Sequence, residues 1–94
     1  MTLNDVYDMV RYNLGELNPS TGRETYIRAQ MNSALSLMVR EGVTFGNDYG
    51  PEDAELIVMY TNYLITKRDS ETGMPRMLRL ALNNRIFAEK INAV

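Results

Sequence analysis

Residues 51–68 set the hardest constraint on this chain, because they read as a helix that is apolar around most of its circumference. Pro51 suits a first helical position, and Glu52 and Asp53 fall in the first turn, where carboxylates meet the positive end of the helix dipole. Leu56, Tyr60, Tyr63 and Leu64 then make one apolar stripe, and Ala54, Val58, Thr61 and Ile65 make another. Only Glu55, Asn62 and Thr66 form a fully polar band. A helix of this kind must be covered on several sides. The chain has 94 residues, one domain at most, so the cover has to come from a few neighbouring helices.

Three-and-four spacing of apolar residues supplies those neighbours. Leu3, Val6, Tyr7, Val10, Leu14 and Leu17 share one face of a first helix, with Thr2 as its cap, Asp5 in its first turn and an end near Gly15. The breaker-rich segment Gly15-Glu-Leu-Asn-Pro-Ser-Thr-Gly22 follows. Thr21-Gly-Arg-Glu24 reads as a capping box for a second helix. Its stripe is Ile27, Met31, Ala34, Leu35, Met38 and Val39, and it stops near Gly42. Residues 42–50 are irregular yet carry Val43, Phe45 and Tyr49, a high apolar load for a loop. Phe45 and Tyr49 either fold over the end of the core or dock a partner. After the third helix, Asp69-Ser-Glu-Thr-Gly73 is a short polar turn fit for an antiparallel helix pair, and Pro75 opens a fourth helix. The expected fold is all-α, a single-domain bundle of four helices with short loops over 1–94.

The fourth helix has two apolar stripes. Met77, Leu78, Ala81, Leu82 and Ile86 make one, and Leu80, Phe87 and Ile91 make a second, with Asn84 between them. At helical stepping the two stripes lie about 160° apart. Either this helix is the centre of the bundle, or Leu80, Phe87 and Ile91 meet another chain. Left bare, each would forgo roughly 1.5–3 kcal/mol of burial. Arg76, Arg79, Asn83 and Lys90 project on one side, while Arg85 falls on the face of Leu78, Leu82 and Ala81. Arg85 must therefore snorkel, pair with a carboxylate or reach into a partner.

Charge is unevenly spread. Residues 74–94 carry +3 and residues 1–73 carry −5. An acidic body meeting the basic helix of the next copy would make a heterologous contact, which closes into a ring or runs on as a filament. A helix-turn-helix use of Arg76, Arg79 and Asn83 on DNA is the competing possibility, but four cations without interleaved exposed aromatics are a weak signal for it.

Composition removes most chemistry. The chain has no Cys and no His, hence no disulfide or thiol nucleophile, no Ser-His-Asp catalysis and little scope for zinc. No phosphate-cradling glycine loop or nucleophile elbow is present. Asp48, Glu52, Asp53 and Glu55 cluster, but they lack the acidic ladder of a calcium loop. The expectation is a non-enzyme with no catalytic residue, metal or cofactor. A signal peptide and a membrane-spanning run are also not expected.

Residues 53–90 resemble a known family. The segments that carry the resemblance are Asp53-Ala-Glu-Leu-Ile57, Met59-Tyr60, Tyr63-Leu64 and Lys67-Arg68, followed by Met74-Pro-Arg-Met-Leu-Arg79, Leu82-Asn-Asn-Arg85 and Phe87. The sequence resembles the small head–tail connector, or adaptor, proteins of long-tailed bacteriophages, with residues 1–50 similar only in helical layout. The resemblance implies a structural virion protein, made in the host cytoplasm. It would form a homo-oligomeric ring, twelve-fold on the portal protein, that extends the DNA channel and receives the head-closure or tail completion protein. DNA would pass through without specific binding. It also implies that the segment from Arg76 to Ile91 lies among the subunit- and portal-facing elements. Joined with the stripes and charges, this makes Arg76, Arg79, Leu80, Asn83, Asn84, Arg85, Phe87, Lys90 and Ile91 the contact candidates, with Phe45 and Tyr49 in the loop.

Overall fold

The structure, a computed structural model, describes residues 1–67 and 73–92. Its four helices are α1 (Leu3–Asn13), α2 (Thr21–Glu41), α3 (Pro51–Thr66) and α4 (Arg76–Asn92), and no strand occurs among the described residues. The all-α architecture expected from the apolar spacing is the one observed. Arg68 and most of the polar turn expected over 69–73 lie outside the described residues.

Local chemistry fixes where the helices begin and end. Thr2 caps α1 through a reciprocal box: its hydroxyl accepts from the Asp5 N–H, and the Asp5 carboxylate accepts from the Thr2 N–H at 2.9 Å. That hydrogen bonding holds the Asp5 carboxyl below the usual carboxylate range. The cap of α2 is Ser20, not Thr21: the Ser20 hydroxyl accepts from the Arg23 N–H, and Thr21 is already the first helical residue. Both residues fit the cap chemistry, and the one that keeps an extended backbone before the helix takes the role. At the other end Gly42 adopts φ 114°, the left-handed conformation that ends a helix. The next residue, Val43, donates to the Met38 carbonyl at 3.1 Å and is itself buried, which turns the chain back onto the core. Pro51 is the first residue of α3, as expected. Pro75 stands one place before α4 and accepts from the Arg79 N–H at 3.0 Å.

The centre of the molecule is α3. It packs against α1, α2 and α4, and Ala54, Leu56, Ile57, Val58, Tyr60 and Thr61 are all buried along it. Ile57 belongs to neither expected stripe. It fills the gap between them and makes the buried surface continuous. Val6, Tyr7 and Val10 of α1 and Ile27, Met31, Ala34 and Met38 of α2 close over this helix. Among the described residues of α4, only Leu78 and Leu82 reach the fully buried core. The alternative that α4 forms the centre of the bundle is therefore wrong.

Three apolar residues depart from their expected places. Leu17 lies beyond the end of α1, which stops a turn earlier, and is exposed. Val39 is exposed at the edge of the α2 stripe, and Met77 sits on the outer face of α4 instead of its core face. The Cα envelope measures 45 × 32 × 18 Å, so its thin dimension holds about two helix layers at the usual spacing of roughly 8–10 Å. A plate of this kind leaves an outer face on its peripheral helix.

One buried polar group stands out in the core. The Thr61 hydroxyl is fully buried and has no hydrogen-bond partner among the described residues. Thr61→Val keeps the shape and removes the desolvation cost, so stability should rise by about 1 kcal/mol, or about 4–8 °C in Tm. Thermal unfolding followed by circular dichroism checks this; a lower Tm would mean that the hydroxyl is satisfied in the folded protein.

Candidate assembly surface

The outer face of α4 is apolar and bare. Met77 is 74% exposed, Leu80 55%, Phe87 65% and Ile91 56%. Asn84 is also exposed and sits midway along this row, and Arg76, Asn83 and Lys90 flank it on one side, all in solvent. The second stripe expected for the fourth helix is thus a surface feature of the single chain. Met77 extends it by one turn. Its spacing of three from Leu80 and seven from Asn84 was the sequence signal for that placement.

On the opposite side of the row, α4 and the first half of α3 enclose a shallow groove of about 460 Å³. Its floor is Leu56, Met59, Ala81 and Ala88, and its far rim carries Glu52 and Glu55. Both glutamates are exposed and unpaired in ion-pair contacts among the described residues. Sequence reasoning passed over this groove because its walls come from two helices. One wall is an acidic helix start, and the other holds Ala81 and Ala88.

Two of the basic contact candidates are engaged within the molecule. Arg79 donates to the Glu41 carboxylate at 2.9 Å and so ties α4 to the end of α2. Arg85 is half-buried and joins three segments at once. Its Nε donates to Asp53 Oδ1 at 2.8 Å, its Nη1 to Glu89 Oε2 at 2.5 Å and its Nη2 to the Thr44 carbonyl at 2.9 Å. Of the roles open to Arg85 from sequence, pairing with a carboxylate is the one it takes. The guanidinium, with help from Thr44, holds the Glu89 carboxyl below the usual carboxylate range. This clamp fixes the first turn of α3, the 42–50 loop and the middle of α4 relative to one another, and so fixes the groove.

The loop aromatics Phe45 and Tyr49 are also turned inward. They are half-buried against the core, with ring centroids 5.9 Å apart. The Tyr49 N–H donates to the Met1 carbonyl at 2.8 Å, so the loop also holds the start of the chain. Of the two uses open to this loop, folding over the core accounts for the placement of both rings.

Among the described residues no three His, Cys, Asp or Glu side chains come together as a metal site, and no helix is long and apolar enough to cross a membrane. No family model matches this chain, and no curated protein or solved structure matches it.

Replacing Arg85 with Gln should cost about 1.5–3 kcal/mol, the usual worth of hydrogen bonds to charged groups. The Glu89 carboxyl is depressed in the folded state, so its contribution is present above the ordinary glutamate value of 4.5 and is lost as pH falls through the lower folded value. Urea unfolding between pH 7 and pH 3 should therefore show stability falling at the acid end, with a smaller fall in Arg85→Gln. Equal acid sensitivity in the two proteins would show that the clamp carries no charge-linked stability.

Proposed function

We propose that the chain is a structural subunit that assembles with copies of itself through the outer face of α4, as a head–tail connector does on a phage portal. The observation that carries this reading is the row Met77, Leu80, Phe87 and Ile91, bare on a helix whose other face is committed to the core. Patches of this kind mark interaction surfaces. The resemblance of residues 53–90 to connector proteins gives the reading its setting: a ring under the portal at the capsid vertex, with the head-closure or tail completion protein as the next partner. The uneven charge, acidic body and basic last helix, suits contacts between identical subunits.

Magnitudes favour assembly on a template. Covering the exposed parts of the four side chains would contribute on the order of 4–8 kcal/mol. Losing rigid-body freedom on association costs about 4–15 kcal/mol. The two are of similar size, so free copies associate weakly. Copies held side by side on a portal meet at high effective concentration and close the ring.

The competing use of α4 as a DNA-reading helix loses support from its own cations. Arg79 and Arg85 are paired with Glu41, Asp53 and Glu89, which leaves Arg76 and Lys90 as exposed cations at opposite ends of the helix. Strong salt-dependent binding needs more phosphate contacts than these two can make.

Analytical ultracentrifugation with and without portal protein tests the proposal. The expected result is self-association that strengthens on the portal; a monomer indifferent to portal, or tight duplex binding at low salt, would overturn it. Phe87→Asp should abolish association and leave the helical circular dichroism spectrum unchanged, since Phe87 contributes nothing to the buried core.

A further inference from the structure

The bare face of α4 has a finer pattern than a hydrophobic patch. Met77, Leu80, Asn84, Phe87 and Ile91 advance by three, four, three and four residues, the seam spacing of a helix that lies along a second helix. Asn84 occupies the middle of the seam, where a polar side chain fixes the register of a helix pair. Ala81 and Ala88 follow the seam on the groove side and have no bulk to hold another helix away.

The two long edges of this surface are oppositely charged. Lys90 stands on one, and Glu52 and Glu55 stand on the other, across the groove. All three are exposed and form no ion pair among the described residues. Glu52 also stands within about one turn of Lys90 in height along α4, with Glu55 about a turn further from it. The Asp53–Arg85 ion pair, at 2.8 Å, sets the first turn of α3 beside residues 85–89, the turn next to Lys90.

We propose that the occupant of the seam is α4 of a second copy of this chain, running parallel to the first, with Lys90 of each copy facing the acidic edge of its neighbour, nearest Glu52. The charge pattern selects this arrangement. Rotation about an axis parallel to α4 brings the basic edge of one copy to the acidic edge of the next, for a pair and for a ring alike. Such a rotation has no rise, so groups at equal height meet. A two-fold axis perpendicular to α4 instead sets acid against acid and base against base, and like-charge contacts across an interface are costly. The inference rests on the self-association in the functional reading and is independent of the portal.

Complementary charge reversal tests it. Lys90→Glu makes one edge acidic, and the double variant Glu52→Lys with Glu55→Lys makes the other basic. Sedimentation velocity over a concentration series up to the solubility limit, with circular dichroism as the folding control, compares wild type, each variant and an equimolar mixture. Each variant alone should associate about tenfold more weakly than wild type. The mixture should regain wild-type association, because the two reversals then face each other. An antiparallel contact predicts the opposite, variants no weaker than wild type and a mixture tighter than either, and that result overturns the proposal. Association untouched by the variants and their mixture overturns it too, since the contact then lies elsewhere. A wild type monomeric at every concentration overturns it even if portal binding survives, in which case the connector reading stands without this contact.

Discussion

The structure depends on the need to cover α3. A sixteen-residue helix that is apolar almost all round cannot face water, and the described residues supply three other helices to shield it. α1 and α2 close over much of its surface, and α4 takes the remaining side with Leu78 and Leu82. Once α4 has been spent on one side of α3, none of the described helices is left to cover its outer face. The bare row from Met77 to Ile91 follows from this shortage of helices.

The Arg85 clamp turns that shortage into a defined surface. A peripheral helix held only by two buried leucines could roll or slide on its neighbour. Arg85 ties it at one height to Asp53 and to the Thr44 carbonyl, and Arg79 ties it to Glu41. The groove between α3 and α4, and the separation of its acidic rim from the basic edge, are set by these contacts. They use two of the positive charges of α4 internally, so the electrostatic character of the outer face is carried by Arg76 and Lys90. Two of the four cations that suggest a nucleic-acid surface in the sequence, Arg79 and Arg85, are structural in the fold.

Much of this was legible in the residues. Four helices follow from apolar spacing and from Gly15, Gly42 and Pro51, whose backbone preferences are local. The bareness of Leu80, Phe87 and Ile91 follows from counting faces against available partners. Choices between chemically equivalent neighbours did not show in the sequence. Ser20 and Thr21 can both cap a helix, and their side chains do not decide between them. That outcome depends on which residue keeps an extended backbone before the helix. The groove was equally hidden, because Glu52, Met59 and Ala88 are brought together only by the packing of α3 on α4.

The central claim is that neighbours cover the outer face of α4. Hydroxyl-radical footprinting as a function of protein concentration, and on the portal, measures that cover directly. Met77 and Phe87 are oxidisable and open in the single chain, whereas Met31 and Met38 are buried in it. The account predicts that Met77 and Phe87 lose reactivity together as copies associate, while Met31 and Met38 stay unreactive throughout. Reactivity at Met77 and Phe87 that is the same in dilute, concentrated and portal-bound protein would contradict it.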